Sequence, residues 1–104
     1  MDAFEVIGDP TRRTLIELLS EGERPVGELV MHFDVSFSAI SQQLRILTEV
    51  GIVTSRQQGR QRLYRLEPDG LDPVAAWTAQ FARRFWDRKL RKLGGVLERM
   101  KHGA

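Results

Sequence analysis

The stretch SFSAISQQLRIL, residues 36–47, carries an unusual set of polar side chains. In a helix, Ser38, Ser41, Gln42 and Arg45 share one face, because they lie three or four residues apart. Hydroxyl, amide and guanidinium groups donate or accept hydrogen bonds, whereas an ordinary solvent-exposed face would carry Glu and Lys. The composition therefore favours a face that recognises a hydrogen-bonding ligand over a face that is simply solvated.

The opposite side of the same stretch is apolar and predicts how it is held in place. Four apolar residues at offsets 0, 3, 7 and 10 form a stripe that should face a core: Phe37, Ile40, Leu44 and Leu47. Ser36 is suited to cap this helix and Gly51 to end it, which predicts a helix over 36–50. A preceding helix is predicted over 25–33. The short connection between the two makes a helix-turn-helix.

Further elements are predicted on both sides of this pair. Asp9 can cap a helix over 10–20 whose first residue is Pro10. Residues 52–66 predict a β-hairpin, because strand-forming residues flank a polar loop that contains a glycine. Asp72 and Pro73 predict the cap and first residue of a long last helix over 72–101. The expected fold class is mainly α with a small β-hairpin (α+β), in one domain spanning 1–104.

Composition and charge limit the classes of function. The 104 residues include no cysteine, which excludes disulfides and thiol nucleophiles. Residues 1–35 hold three arginines and eight acids, whereas residues 36–65 hold five arginines and one acid. Such a local positive excess favours a polyanionic partner. With no signal peptide and no apolar run of about 18 residues, the protein is expected to be cytoplasmic.

Three segments together resemble one bacterial family. GDPTRRTLIELL (8–19), SFSAISQQLRILTEVGIV (36–53) and GRQRLYRL (59–66) are similar to the ArsR/SmtB winged-helix transcriptional repressors. The resemblance implies a winged helix-turn-helix that binds operator DNA as a homodimer. It also implies that the helix over 36–50 is the recognition helix, that 52–66 is the wing, and that 72–101 is a dimerisation helix.

The resemblance and the chemistry of DNA assign candidate DNA contacts. Serine, glutamine and arginine match the donors and acceptors of base edges in the major groove. The candidate base-reading residues are Ser36, Ser38, Ser41, Gln42, Gln43 and Arg45. Many family members carry histidine at the position of Gln43. The candidate wing contacts to the DNA backbone or minor groove are Arg56, Gln58, Arg60 and Arg62.

The family's metal sites are not expected in this chain. The cysteine pair that several members place before the recognition helix is represented by Val30, Met31 and His32. The only other histidine is His102, and a tight zinc site needs three or four ligands. We therefore expect no metal, no cofactor and no catalytic residue, and the protein is not expected to be an enzyme.

The last helix carries an extended apolar surface with three possible uses. It could complete the core of a monomer, line a pocket for a small molecule, or pair with a second copy. The homodimer is favoured because the helix is long for so small a domain. The candidate interface residues are Phe4, Ile7, Trp77, Phe81, Phe85, Trp86, Leu90, Leu93 and Leu97.

The sequence thus predicts a sequence-specific DNA-binding regulator, a homodimeric repressor that reads an inverted-repeat operator. Repression of its own gene is favoured over a response to a small molecule. Two alternatives remain. One is a winged-helix module that binds other proteins without sequence-specific DNA binding. The other is a repressor whose small-molecule inducer binds at the dimer interface.

Overall fold

A computed structural model describes the backbone of residues 1–102 and the side chains of residues 1–95. The elements in chain order are α1 (Ala3–Val6), α2 (Pro10–Ser20), β1 (Arg24–Pro25), α3 (Val26–Val30), α4 (Phe37–Val50), β2 (Val53–Gln58), β3 (Gln61–Leu66), a 3-10 turn (Pro68–Leu71) and α5 (Asp72–His102). The chain divides into two compact units, Met1–Pro73 and the segment that begins at Val74. The mainly helical fold with a small antiparallel sheet confirms the predicted fold class.

The first unit encloses a core of apolar side chains drawn from its helices and from the start of β2. The largest of them are completely buried: Leu15, Leu29, Ile40, Leu44, Leu47 and Ile52. The spacing of Ile40, Leu44 and Leu47 places them on one side of α4, so that burying this stripe fixes the rotation of the helix about its axis. The other side of α4 is thereby turned away from the core.

Both predicted ends of α4 are confirmed. The Ser36 side chain accepts a hydrogen bond from the Ala39 backbone N–H at 3.1 Å, as an N-cap does. Gly51 follows the helix with φ 84°, a left-handed conformation that glycine adopts without steric cost. The Ile52 N–H then donates to the Leu47 carbonyl oxygen at 3.0 Å, which closes the helix end.

Phe37 departs from the prediction for the apolar stripe. Its side chain is 56% exposed, so the expectation that it faces the core is wrong. Phe37 is the first residue of α4, and Cα–Cβ bonds in a helix tilt toward the N-terminus. A side chain at that position extends past the helix end, beyond the packed stripe that starts at Ile40.

The sheet has one more strand than predicted, and α3 is shorter. Arg24 pairs with Tyr64 and Pro25 with Leu63, which adds β1 to the hairpin in the order β1-β3-β2. The predicted helix over 25–33 is therefore wrong at both ends, since α3 covers only Val26–Val30. A strand of two residues has no detectable alternation, so the sequence pattern could not reveal it.

The hairpin of β2 and β3 forms the predicted wing. Gln58 pairs with Gln61, which leaves Gly59 and Arg60 as a two-residue loop. Gly59 has φ 63°, a conformation that tight hairpin loops require and that glycine adopts readily. Arg60 consequently lies at the tip of the wing.

The second unit is helical, and α5 begins at Asp72 instead of being capped by it. The helix continues through Gly94 and Gly95 without interruption. The large apolar side chains of this helix, from Trp77 to Leu93, are 50–60% exposed. In the first unit, Phe4 is 40% exposed and Ile7 is half-buried. The predicted interface residue Leu97 has its side chain outside the described residues.

Candidate nucleic-acid interface

The exposed side of α4 gathers most of the predicted base-reading residues. We define the α4 outer face as the five residues that line one open surface depression: Phe37, Ser38, Ser41, Gln42 and Arg45. They belong to successive turns of one helix whose opposite side is buried, so their positions are fixed by core packing. The face presents hydroxyl, amide and guanidinium groups beside a single aromatic ring.

Arg45 is held only loosely on this face. Its Nε atom donates to Glu49 Oε1 at 3.2 Å, one helical turn further on. Both side chains are well exposed, and exposed pairs at this spacing contribute only about 0.3–0.5 kcal/mol. Arg45 can therefore exchange Glu49 for another acceptor at little cost.

Two of the predicted base-reading side chains have structural partners. Ser36 uses its hydroxyl oxygen as the cap of α4. Gln43 is half-buried, and its Oε1 atom accepts a hydrogen bond from Arg12 Nη1 at 3.0 Å. Arg12 also donates through Nε to the Val6 carbonyl at 2.7 Å. Arg12 thus joins α1 and α2 to α4, and Gln43 lies apart from the depression.

The four predicted wing residues do not share one surface. Side chains alternate along a strand, so Arg56 and Gln58 lie on one face of the hairpin. Arg62 pairs across the strands with Gln57 and therefore lies on the opposite face, where its Nη1 donates to Ser55 Oγ at 3.0 Å. The Arg60 side chain forms no hydrogen bond or ion pair with any side chain that the structure describes. Its positive charge is therefore available to bind a ligand.

Arg56 is neutralised by an acid from outside the hairpin. Its Nη2 and Nε atoms donate to the two carboxylate oxygens of Glu23 at 2.7 and 3.0 Å. These hydrogen bonds lower the pKa of Glu23 and raise the pKa of Arg56, so that both groups are charged at neutral pH. A second wing arginine, Arg65, pairs with Glu67 at 3.2 Å. Much of the positive charge counted in the sequence is therefore already matched.

Comparison with known proteins identifies the family. The family model described as "Bacterial regulatory protein, arsR family" matches residues 9–55. The chain is 40% identical to the HTH-type transcriptional regulator Rv2034 of Mycobacterium tuberculosis over 85% of this chain and 78% of that relative. This chain belongs to the ArsR family. It is a transcriptional regulator with a winged helix-turn-helix DNA-binding domain, which confirms the resemblance inferred from the three segments.

Two further proteins similar to this ArsR-family regulator support the same family assignment. The transcriptional repressor SdpR of Bacillus subtilis is 30% identical over 80% of this chain and 92% of its own length. A crystal structure of a possible transcriptional regulator for arsenical resistance matches with a TM-score of 0.72 and 52% identity. That match covers 78% of this chain and 84% of the solved one.

None of Val30, Met31 and His32 supplies a thiolate, and of the three only His32 has a side chain of a type that binds zinc. Among the described residues, no three His, Cys, Asp or Glu side chains are grouped so that they could hold a metal ion. No helix within the described part of this regulator is long and apolar enough to cross a membrane.

Three features of this interface, one exposed side chain and two contacts, could not be read from the sequence. Phe37 followed the core periodicity, so the pattern gave no sign of its exposure. The pairs Arg12–Gln43 and Glu23–Arg56 join residues 31 and 33 positions apart, and only the tertiary fold brings them together.

Proposed function

We propose that this ArsR-family regulator is a homodimeric repressor whose α4 outer face reads base edges in the major groove of an inverted-repeat operator. One observation carries the proposal. Ser38, Ser41, Gln42 and Arg45 are gathered on the exposed side of a helix whose other side is buried. Donors and acceptors held rigidly in this way suit the hydrogen-bonding pattern of base pairs.

Within this proposal, the wing supplies affinity that does not depend on sequence. Arg60 at the tip contacts phosphates or enters the minor groove, with Arg62 and Gln58 beside it. Arg56 contributes less, because Glu23 already binds it through two hydrogen bonds. Ser36 and Gln43 position α4, and we assign base contacts to neither.

The homodimer rests on the apolar side of α5. Trp77, Phe81, Phe85, Trp86, Leu90 and Leu93 are each at least half exposed in the single chain. Contiguous exposed apolar surface of this kind is typical of an interface, and most homodimers have two-fold symmetry. Two-fold DNA-binding proteins of this kind bind half-sites about 34 Å apart, one turn of DNA, which would match an inverted repeat.

Repression is supported by relatives such as SdpR, which is named as a transcriptional repressor. A regulator that works by binding DNA needs neither a catalytic residue nor a cofactor, and in a bacterium it acts in the cytoplasm. We therefore propose a cytoplasmic protein without enzymatic activity. Its own promoter is the first operator to examine.

An unbiased selection tests this function. The purified protein is incubated with a pool of random duplexes at near-physiological salt, and the enriched sequences are determined. We expect an inverted repeat whose half-sites lie about one helical turn apart. Light scattering on the same sample should give twice the mass of the chain. A folded protein that enriches no sequence would overturn the proposal and favour a module that binds other proteins.

A further inference from the structure

Phe37 is an apolar residue in a polar setting. It is 56% exposed, although phenylalanine is among the residue types most often buried. Around it on the α4 outer face lie two serines, a glutamine and an arginine. Phe37 lies outside the completely buried stripe of α4, which begins one turn later at Ile40.

We propose that Phe37 is a specificity-determining residue whose ring packs against the 5-methyl group of a thymine in the major groove. The inference rests on the proposed function and deepens it. Ser38, Ser41 and Gln42 would form hydrogen bonds with base edges. The Phe37 ring would add one apolar contact, which selects thymine at a defined position of each half-site.

The chemistry of the major groove supports this assignment. Among the base edges exposed there, the thymine methyl is the one apolar group, and phenylalanine is among the side chains that contact it. The residues of a recognition helix that reach base edges lie in its N-terminal turns. Phe37 is the first residue of α4, and Cα–Cβ bonds in a helix tilt toward the N-terminus, so the ring belongs to the turn that makes these contacts.

The charge around Phe37 favours DNA over an apolar protein partner. Arg45 lines the same depression as the ring, and the wing that follows α4 holds four arginines and no acid. A polyanion complements such a surface. Because the ring carries no charge, it should affect the choice of sequence and leave the salt dependence of binding unchanged.

The test removes single methyl groups from the DNA. In the duplex enriched by selection, each thymine is replaced in turn by deoxyuridine, which lacks only the 5-methyl group. Wild-type protein should bind about three- to tenfold more weakly when one particular thymine of a half-site is replaced. The Phe37→Ser variant should bind the thymine and uracil duplexes equally, whereas Phe37→Leu should retain part of the difference.

Met31→Ser is the matched control, because Met31 is an apolar residue that is 84% exposed and lies outside α4. This variant should discriminate thymine from uracil as the wild type does. Thermal unfolding of each variant verifies folding, which an exposed side chain should influence little.

The outcomes separate the two proposals. Failure to enrich any sequence overturns the proposed function and this inference with it. An enriched site overturns the inference alone in three cases: the half-site contains no thymine, no thymine is sensitive to loss of its methyl group, or Phe37→Ser retains the sensitivity. Loss of sensitivity in Phe37→Ser with its retention in Met31→Ser establishes the contact.

Discussion

The wing is basic in sequence, whereas α4 carries one arginine and one acid, and the two regions also differ in how their polar groups are engaged. On α4, the side chains of Ser38, Ser41 and Gln42 face an open depression, above a stripe that is completely buried. On the wing, Arg56 is bound to Glu23 and Arg62 to Ser55. Local net charge therefore overstates what the wing offers to DNA. The two regions should make separable contributions, sequence information from α4 and general affinity from the wing.

The largest effect on stability should follow from truncating a buried residue that packs α4 against the core. Leu44 is completely buried beneath the outer face. Leu44→Ala removes buried surface and leaves a cavity, so the free energy of unfolding should fall by about 2–5 kcal/mol. Urea denaturation followed by circular dichroism measures the change. Ser38→Ala on the other side of the same helix should alter it by about 0.5 kcal/mol or less, and an equal loss in both variants would refute the assignment of the two faces.

A smaller effect is expected from truncating a side chain on the outer face itself. Gln42→Ala should reduce the difference in binding free energy between the selected site and random duplex by about 1–3 kcal/mol, the range for one base contact. Affinity for random DNA and its dependence on salt should remain as in the wild type. Paired titrations by fluorescence anisotropy measure both quantities. Equal weakening on the two duplexes would show that Gln42 makes no base contact.

Truncating a wing residue should lower affinity for every DNA sequence without changing sequence preference. Arg60→Ala should weaken binding to the selected site and to random DNA by the same factor, because a phosphate contact carries no sequence information. The slope of log K against log salt should become shallower by about one for each phosphate that the variant no longer binds. Gln61→Ala, an uncharged change in the adjacent residue, should leave the slope unaltered. A loss confined to the selected site would instead assign Arg60 to base recognition.

The smallest effect on DNA binding should be a gain in affinity. Glu23→Gln removes the partner of Arg56, so binding to any duplex should become a few-fold tighter at pH 7 and its salt slope steeper. Glu17→Gln removes an acid that is not paired with the wing and controls for net charge. If both variants gain affinity equally, the ion pair does not restrain Arg56.

The same pair predicts a direction for stability against pH. The pKa of Glu23 is lowered in the folded protein by its hydrogen bonds from Arg56. Its contribution to stability is therefore complete above the unfolded-state pKa of about 4.3, and is lost as pH falls through the lowered folded value. The stability difference between wild type and Glu23→Gln should shrink as acid is added. A difference that stays constant down to pH 2 would contradict this.

Local signals in the sequence were sufficient for the elements that position the site. Ser36 and Gly51 correctly marked the ends of α4, and apolar spacing correctly placed Ile40, Leu44 and Leu47 in the core. These features depend on neighbours within one or two helical turns.

Features that depend on the tertiary fold were missed. The exposure of Phe37 reflects where the packed neighbours of α4 end, and periodicity within one helix carries no such information. The Arg12–Gln43 hydrogen bond, which gives a predicted base-reading residue a partner on α2, joins residues far apart in the sequence. Similarly, the pairing of Arg56 with Glu23 required β1, which was too short to recognise from its own residues.

The central claim is that α4 supplies sequence information and the wing supplies general affinity. The most direct test measures the affinity of the wild-type protein for two duplexes across a series of salt concentrations. One duplex carries the selected inverted repeat and the other the same bases in scrambled order. We predict two roughly parallel lines of log K against log salt, separated by a factor of about 10³ or more. Coincident lines would mean that the α4 outer face reads no sequence, and would contradict the claim.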